Sequence, residues 1–375
     1  MLKVATVCSG IGAPEMALTR LDIPYELVCF SEINEAAIKS YCALHNMDRR
    51  KNIGSLAEVN EKPIPLDIDL LVGGTPCQSF STAGKGEGGD EGSGTRSSLM
   101  WSYLQFIAIS KPKVVIWENV PGVLSYKHIH NFRRFYFMLL AYGYNVYADV
   151  KNAKYFNVAQ NRERLYLIAI RKDEDKGFEF PIGYDSGVRI KHILQSGPAK
   201  HISADNLKNM VLFKPYIGYN THRIIKCGDL KWNNFRQNNI VLSINGISEC
   251  LMCSNDSYTG AKIYDDRDVD NPQVRRPTPF ESFKLMGFKD DDYYKCRYKI
   301  LNGKRIDNVK ESDLYMQAGN SIVVTVLMAI FGVLYSIDDW AERVFQERSK
   351  TPEQLIYELP LFTYMGEQKK DESQE

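Results

Sequence analysis

Lys3-Val4-Ala5-Thr6-Val7-Cys8-Ser9-Gly10-Ile11-Gly12 is a short, mostly apolar run that stops at two glycines. Residues 3–7 have the composition of a buried strand. Gly10 and Gly12 let the backbone turn tightly and come close to a ligand. A helical pattern follows at 13–21, then a strand at 26–30 and a helix at 34–45. The alternation continues with strands at 69–72, 114–117 and 165–171 and helical runs at 99–109 and 130–142. Short apolar strands separated by amphipathic helices predict an α/β fold, a doubly wound sheet covered on both faces. In such a sheet ligands bind at the carboxyl ends of the strands, at the topological switch point.

Past residue 171 the alternation stops. Residues 172–271 are rich in Asn, Lys, Tyr and Gly without a clear period and are expected to form a smaller, irregular domain. Regular apolar character returns at 278–288 and 316–337, so the large domain is expected to be discontinuous. The expected division is 1–171 plus 316–345, then 172–315, then an extension at 346–375 whose last ten residues are disordered. Residues 322–337 are nearly continuous in apolar side chains, but fall short of the ~18–20 that a membrane span needs and contain Gly332 and Tyr335. A buried helix is predicted there, and no membrane partner.

The 375 residues, 44% hydrophobic and 25% charged, suit one large and one smaller globular domain. A net charge of +1 provides no global basic field, so a nucleic-acid partner would have to meet a local basic cleft. The eight cysteines form no paired framework, and residues 3–7 open without a signal pattern. Reduced thiols and a cytoplasmic location are expected. Cys250 and Cys253 stand at C-x-x-C spacing, with no second pair or His cluster to complete four ligands, so no metal is predicted.

After the first glycine turn, Glu15 stands where the third glycine of a dinucleotide fingerprint would fall, and an anion there suits a pyrophosphate poorly. The second strand runs into Glu32, about twenty residues on, where an acid would hold ribose hydroxyls. A nucleoside without a pyrophosphate, such as S-adenosylmethionine, fits these features; a structural turn followed by a solvated acid is the plainer alternative. The strand at 69–72 empties into Gly73-Gly74-Thr75-Pro76-Cys77-Gln78-Ser79-Phe80-Ser81. Most lone cytosolic cysteines are inert core residues. Cys77, at a strand end after two glycines and a proline, instead occupies a catalytic position for this architecture.

The next strand ends in Glu118-Asn119-Val120-Pro121, and neighbouring strands would bring Glu118 to the same edge as Cys77. A thiolate beside a carboxylate that hydrogen-bonds a heteroaromatic ring suits covalent activation of a base. Between them the glycine-rich residues 82–98, with little to hold one conformation, are read as a mobile lid; a plain disordered loop is the alternative. In Gln160-Asn161-Arg162-Glu163-Arg164 the period of two points both arginines one way, suited to a carbonyl oxygen or phosphate. A surface ion-pair cluster is the simpler reading.

These segments, in this order, resemble the DNA (cytosine-5) methyltransferase family of prokaryotes and phages. Residues 7–12 resemble its first motif and Phe30-Ser31-Glu32 its second. Gly74-Thr75-Pro76-Cys77-Gln78-Ser79-Phe80-Ser81 matches its Pro-Cys nucleophile motif, Glu118-Asn119-Val120 its Glu-Asn-Val motif, and Gln160-x-Arg162-x-Arg164 its Gln-x-Arg-x-Arg motif. Pro277-Thr278-Pro279-Phe280-Glu281 with Leu285-Met286-Gly287-Phe288 resembles the ninth motif, and Ala318-Gly319-Asn320-Ser321-Ile322 the last. The likeness covers about residues 3–171 and 275–337.

The resemblance implies a mixed sheet of the S-adenosylmethionine-dependent methyltransferase type, with residues 172–271 as the target-recognition region. It implies that Cys77 adds to C6 of a flipped-out cytosine in duplex DNA, that Glu118 holds the N3 edge, and that Arg164 binds O2 with Arg162 in support. Ser9, Gly10, Ile11, Gly12, Glu32, Ile33, Ser55, Leu56, Gly74, Leu99, Asn320 and Ser321 would form the cofactor site. For Ile33 and Leu99 ordinary core packing is an equal reading. Gln78, Ser81 and Arg96 would contact DNA from the lid. A monomer in a prokaryotic cell or phage-infected host is expected, with a cognate restriction endonuclease as a possible partner.

Two departures stand out. Thr6 and Cys8 occupy the positions where the family usually has an acid and then an aromatic, and Ser55 replaces an acid that faces adenine. In the recognition region Lys191, Lys208, Lys214, His222, Arg223, Lys226, Lys231 and Arg236 suit phosphate and groove contacts, though each also reads as a solvated surface charge. Three rival readings remain at this point: an RNA methyltransferase of the tRNA-acting branch, whose Cys-Phe-Thr signature is not found; a non-catalytic DNA-binding subunit; and, more distantly, a nicotinamide oxidoreductase.

Overall fold

The structure, a computed structural model, describes residues 1–61, 63–80, 88–195, 202–203, 207–212, 222–231, 236–254, 257–258 and 260–345. The expected disorder of the last ten residues, and Ser81 and Lys214 among the named candidates, lie outside the described residues, as does the side chain of Arg236.

The alternation in the first half becomes β1 (Leu2–Val7), α1 (Ala13–Arg20), β2 (Tyr25–Ser31), α2 (Glu35–His45), β3 (Leu70–Gly73), α3 (Leu99–Ser110), β4 (Val114–Asn119), α4 (Ile129–Ala141), β5 (Tyr144–Asn152) and β6 (Glu163–Arg171). Strand order is β2-β1-β3-β4-β6-β5. The first four strands run parallel, and β6 and β5 are antiparallel to their neighbours, which makes the sheet mixed. The chain leaves β1 toward β2 and then returns to its other side as β3, so the switch point lies between β1 and β3. Both glycine turns read from the sequence open there.

Strand periodicity divides the core between the two faces. Val4, Val72, Ile116 and Ile168 pack with residues of α1 and α2, whereas Ala5, Leu71, Val115, Trp117 and Leu167 pack with residues of α3 and α4.

Residues 172–271 depart from the expected irregularity. Strands β7 (Val211–Leu212), β8 (Lys226–Asp229), β9 (Ile240–Ser243), β10 (Cys253–Ser254), β11 (Ser257–Tyr258), β12 (Lys262–Asp265) and β13 (Gln273–Arg275) form a five-stranded sheet, β13-β12-β9-β8-β7, and a separate β10-β11 pair. Strands of two to four residues are too short to display a period, and those of the five-stranded sheet are held by partners about eight to twenty residues away. Two small clusters cover this sheet, one around Leu242 and Ile263 and the other around Val241 and Val274.

Arg275 joins this sheet to the next helix. It is 2% exposed and makes a bidentate pair with Glu281 at 2.8 Å and a 3.0 Å bond to Asp265. Glu281 also closes a capping box with Thr278 at the start of α5 (Pro279–Leu285). After α6 (Asp290–Arg297) come a hairpin, β14 (Tyr298–Leu301) and β15 (Lys304–Asp307), then α7 (Glu311–Asn320), α8 (Val324–Leu334) and α9 (Trp340–Phe345). Phe283, Met286, Leu314 and Leu327 all enter the cluster on the α1 face of the large sheet. The stretch Glu311–Leu334 is long and apolar enough to cross a membrane, yet 78% of its most apolar window is buried in the protein. Its hydropathy serves the core, because α8 packs on α1 with nearly every side chain covered.

Candidate active site

Cys77 lies four residues beyond the end of β3 and is half-buried. Its loop is held from β4: Trp117 Nε1 donates to Thr75 Oγ1 at 2.8 Å, and Asn119 Nδ2 to the Thr75 carbonyl at 3.1 Å. On the same strand Glu118, 8% exposed, turns toward the loop, and a Cβ on Gly74 would stand 3.2 Å from its Oε2. Trp117 and Asn119 thus fix the thiol's position, while the intervening Glu118 meets the site.

Arg162 and Arg164 share a direction, as the period of two predicts, and Glu163 is exposed. Arg164 Nε lies 3.2 Å from Glu118 Oε1. Arg162 Nη2 donates to the carbonyls of Gly319 and Ser321, both at 3.1 Å, and so ties β6 to the α7–α8 junction. Both guanidinium groups also reach Cys250, at 3.4 Å and 3.7 Å from its Sγ. The cysteine considered only as half of a metal pair is therefore a neighbour of the catalytic candidates. Its arginine partners lie 88 and 86 residues away, and no local signal foretells the contact.

The electrostatics follow from this packing. Burial, with the Glu118 carboxylate adding to it, raises the Cys77 thiol pKa, and Arg164 and Arg162 partly offset the rise. Burial likewise lifts the Glu118 carboxyl against the pull of the same arginines. Burial opposes the charge of Arg164, but Glu118 together with Cys250 and Cys77 outweighs it and holds the guanidinium above its ordinary value. Burial also works against the Cys250 thiolate, yet the two arginines prevail and lower that thiol.

A second group of candidates meets beside the first, at the ends of β1 and β2. Glu32 crosses between them: its Oε2 accepts from Gly10 N and its Oε1 from Ile33 N and Asn34 N, each at 2.8 Å. A carboxylate has about four acceptor sites, so one remains for a further donor. Ile33 is 74% exposed, which sets aside the core reading for it; Leu99 is half-buried. Gly10 faces open space on its Cβ side, while Ile11 is buried. Gly12 adopts φ 80°, and a Cβ there would strike His45 Nε2 and Tyr41. Ser9 is spent on Ser31, to whose carbonyl its Oγ and its amide both bond. Ser55 accepts from Ala57 N, and Leu56 is 3% exposed in the core on the α3 face. Asn320 is exposed and Ser321 buried, with Ile322 packed 3.5 Å from the Gly74 Cβ position.

Glu15 corrects one inference. Its side chain is fully buried and faces inward, where Oε1 accepts from Thr6 Oγ1 at 2.7 Å and from the Tyr41 hydroxyl at 2.6 Å. It does not present an anion at the mouth of the turn. The departure at Thr6 thereby acquires a role as the partner of this buried acid. Cys8 takes a left-handed φ of 49°, and burial pushes its thiol up to about 12.

The lid candidates are more firmly held than expected. Gln78 and Arg96 are both exposed and joined at 3.3 Å. Gly88 N bonds to Ser79 O, Trp101 Nε1 to Gly89 O at 2.7 Å, and Asp90 to His130 and Asn131 of α4. The described part of the glycine-rich segment is anchored at several points, because the Gly89 carbonyl finds a donor on α3 and the Asp90 and Glu91 carboxylates find partners on α4.

The family model for C-5 cytosine-specific DNA methylases matches residues 2–336. The chain belongs to that family. Among related methylases, the orphan methyltransferase M.SPRI of Bacillus phage SPR is 40% identical over 54% of this chain, a match that spans 45% of the phage protein. The type II methyltransferase M2.ScrFI of Lactococcus lactis subsp. cremoris is 28% identical over 89% of this chain and 99% of its own length. The crystal structure of the S. pombe Dnmt2 methyltransferase shares the fold with a TM-score of 0.62 at 19% identity, covering 90% of this chain and all of that one. The doubly wound methyltransferase fold expected from the sequence is the one observed.

Proposed function

We propose that this methylase transfers a methyl group from S-adenosylmethionine to C5 of a flipped-out cytosine in duplex DNA, through a covalent bond between Cys77 and C6. The observation that carries the reading is the meeting of Cys77, Glu118 and Arg164 at the ends of β3, β4 and β6, beside the switch point. The Cys77 thiolate attacks C6 while Glu118, whose carboxyl burial makes it hold a proton more readily than an exposed one, takes part in protonating N3 as charge develops there. The electron pair released from the ring makes C5 a nucleophile. Arg164, backed by Arg162, holds O2 and steadies the charge. Once C5 carries the methyl group, loss of its proton expels Cys77 and restores the ring.

S-adenosylmethionine, when bound, supplies an electrophilic methyl group. The residues present fit it: Gly10 leaves open space, Glu32 retains an acceptor site for a ribose hydroxyl, and Ile33 exposes an apolar side chain for a purine face. Gly12, Gly74, Leu99, Asn320 and Ser321 complete this proposed site. Ser9, Ile11, Ser55 and Leu56 support it from behind, since their side chains are buried or engaged elsewhere. Gln78 and Arg96 are the proposed described lid contacts to DNA.

We take 1–171 plus 316–345 as the catalytic unit and 172–315 as the target-recognition unit, with α5 anchoring the second on the core of the first. A monomer in the cytoplasm of a bacterium or phage-infected host completes the reading. The likeness to a type II enzyme supports a cognate restriction endonuclease as partner, and the likeness to the orphan methyltransferase M.SPRI supports an enzyme that works without one.

Bisulfite sequencing of DNA from cells expressing the protein, with Cys77→Ser as control, tests the function. A new 5-methylcytosine context in the wild type alone is expected. Its absence, or methylation of tRNA but not duplex DNA, sinks the proposal. Resistance of that DNA to an endonuclease cutting the same context tests the partner.

A further inference from the structure

The β14–β15 hairpin is a short antiparallel pair closed by Asn302-Gly303, both at positive φ (51° and 73°), the two-residue turn that suits the twist of a hairpin. A lone two-stranded hairpin is marginal in water. Among the described residues, this one is secured around its base. Arg297 and Arg305 lie over the Tyr298 ring at 5.6 and 4.3 Å, Tyr298 stacks on Tyr294, and Arg297 pairs with Asp307 at 3.2 Å. Beyond that base every residue from 299 to 307 is exposed, including Ile300 at 69% and Leu301 at 54%.

Its charge is at odds with that of the whole molecule. Residues 295–310 contain Lys295, Arg297, Lys299, Lys304, Arg305 and Lys310 against the single acid Asp307, in a chain whose net charge is only +1. Among the described residues, Lys299, Lys304 and Arg305 have no carboxylate within ion-pair distance, and Asp307 is already occupied by Arg297. The register pairs Lys299 with Ile306 and Leu301 with Lys304, so one face presents two ammonium groups beside two apolar side chains. Uncompensated cations on a projecting ribbon match the evenly spaced charges of a polyphosphate backbone.

We propose that this hairpin is a second, non-specific contact to duplex DNA, gripping phosphates that flank the target rather than the target itself. The inference rests on the DNA reading above. Position supports it: the hairpin leads straight into α7, whose last turn supplies the Gly319 carbonyl to Arg162. A helix of this length spans ~15 Å, and the arms with their connection add at most ~25 Å. The tip therefore lies within roughly 40 Å of the pocket, about a dozen steps of ~3.4 Å along a duplex.

The test compares wild type with Lys299→Glu/Lys304→Glu and with the corresponding double Gln variant. Binding is measured by fluorescence anisotropy on a mixed-sequence duplex of 40 base pairs, with no cofactor and across a salt series. Each phosphate contact contributes about 0.9 to the slope of log K against log salt. Both variants should therefore lose roughly 2 from the slope. An unchanged slope overturns the proposal. So does an unchanged slope with altered self-association in sedimentation, which would make the hairpin a contact between copies of the chain. The slopes need no turnover, so a failure of methylation in the bisulfite experiment would sink the enzymatic reading and leave the hairpin to be judged by binding alone.

Discussion

At the scale of single residues, the thiol and its neighbours form a balance of opposing charges. Glu118 and burial raise the Cys77 pKa, and the two arginines lower it. Replacing Glu118 with Gln removes a negative charge that disfavours the thiolate. The pH profile of Cys77 alkylation by iodoacetamide should then move to lower pH, while Arg164→Gln should move it to higher pH. Profiles that do not separate in this order would mean that the carboxylate and guanidinium do not act on the thiol. Methyl transfer should fall by roughly 10³-fold or more in Cys77→Ser, because the covalent step has no substitute. Cys77, Glu118, Arg162 and Arg164 were all legible as candidates, since each stands at a strand end within a short, distinctive run. Cys250 was not, because what matters about it is its contact with residues 86 and 88 positions away.

At the scale of elements, the turn after β1 is a tightly constrained piece of backbone. Gly12 holds a left-handed φ of 80°, with His45 Nε2 2.2 Å from where a Cβ would stand. Gly12→Ala should cost at least the ~1–2 kcal/mol of a left-handed non-glycine residue, and more for the clash. Calorimetry should register a fall in Tm of several degrees; an unchanged Tm would show that the loop relaxes freely. The recognition sheet offers a different lever. Lys262 of β12 is fully buried, with its Nζ on the carbonyls of Asn238 and Gly260, and burial depresses its pKa to about 7. The unfolded chain holds that proton up to about 10.4, so the penalty of the buried charge is full below pH 7 and shrinks as pH rises from 7 toward 10. Urea midpoints of wild type and Lys262→Met, compared at pH 6.5 and 9.5, should shift in favour of wild type at the higher pH. A difference independent of pH would mean that Lys262 keeps its proton throughout.

At the scale of the whole molecule, binding should be visible as stability. A ligand at 100 times its Kd stabilises the folded state by about 2.7 kcal/mol. S-adenosylmethionine should therefore raise the Tm of wild type and of Cys77→Ser equally, and should lose most of that effect in Glu32→Ala. Loss of the shift in Cys77→Ser with retention in Glu32→Ala would reverse the proposed assignment of the two neighbouring sites.

The alternating half of the fold, the strand ends at which the chemistry gathers, and the family could all be read from the residues alone. All of these are written in short runs whose period and punctuation are local. The sequence did not disclose the recognition sheet, whose strands of two to four residues carry no period and are held by partners about eight to twenty residues away. Nor did it reveal that Glu15 turns inward to Thr6 and Tyr41, that Gly88–Asp90 are tied to α3 and α4, or that Cys250 joins the arginines. These emerge on folding, because each depends on which side chain fills the space beside it. Local sequence determines a backbone's periodicity, but burial and hydrogen-bond partners are set by segments that meet only when the chain has folded.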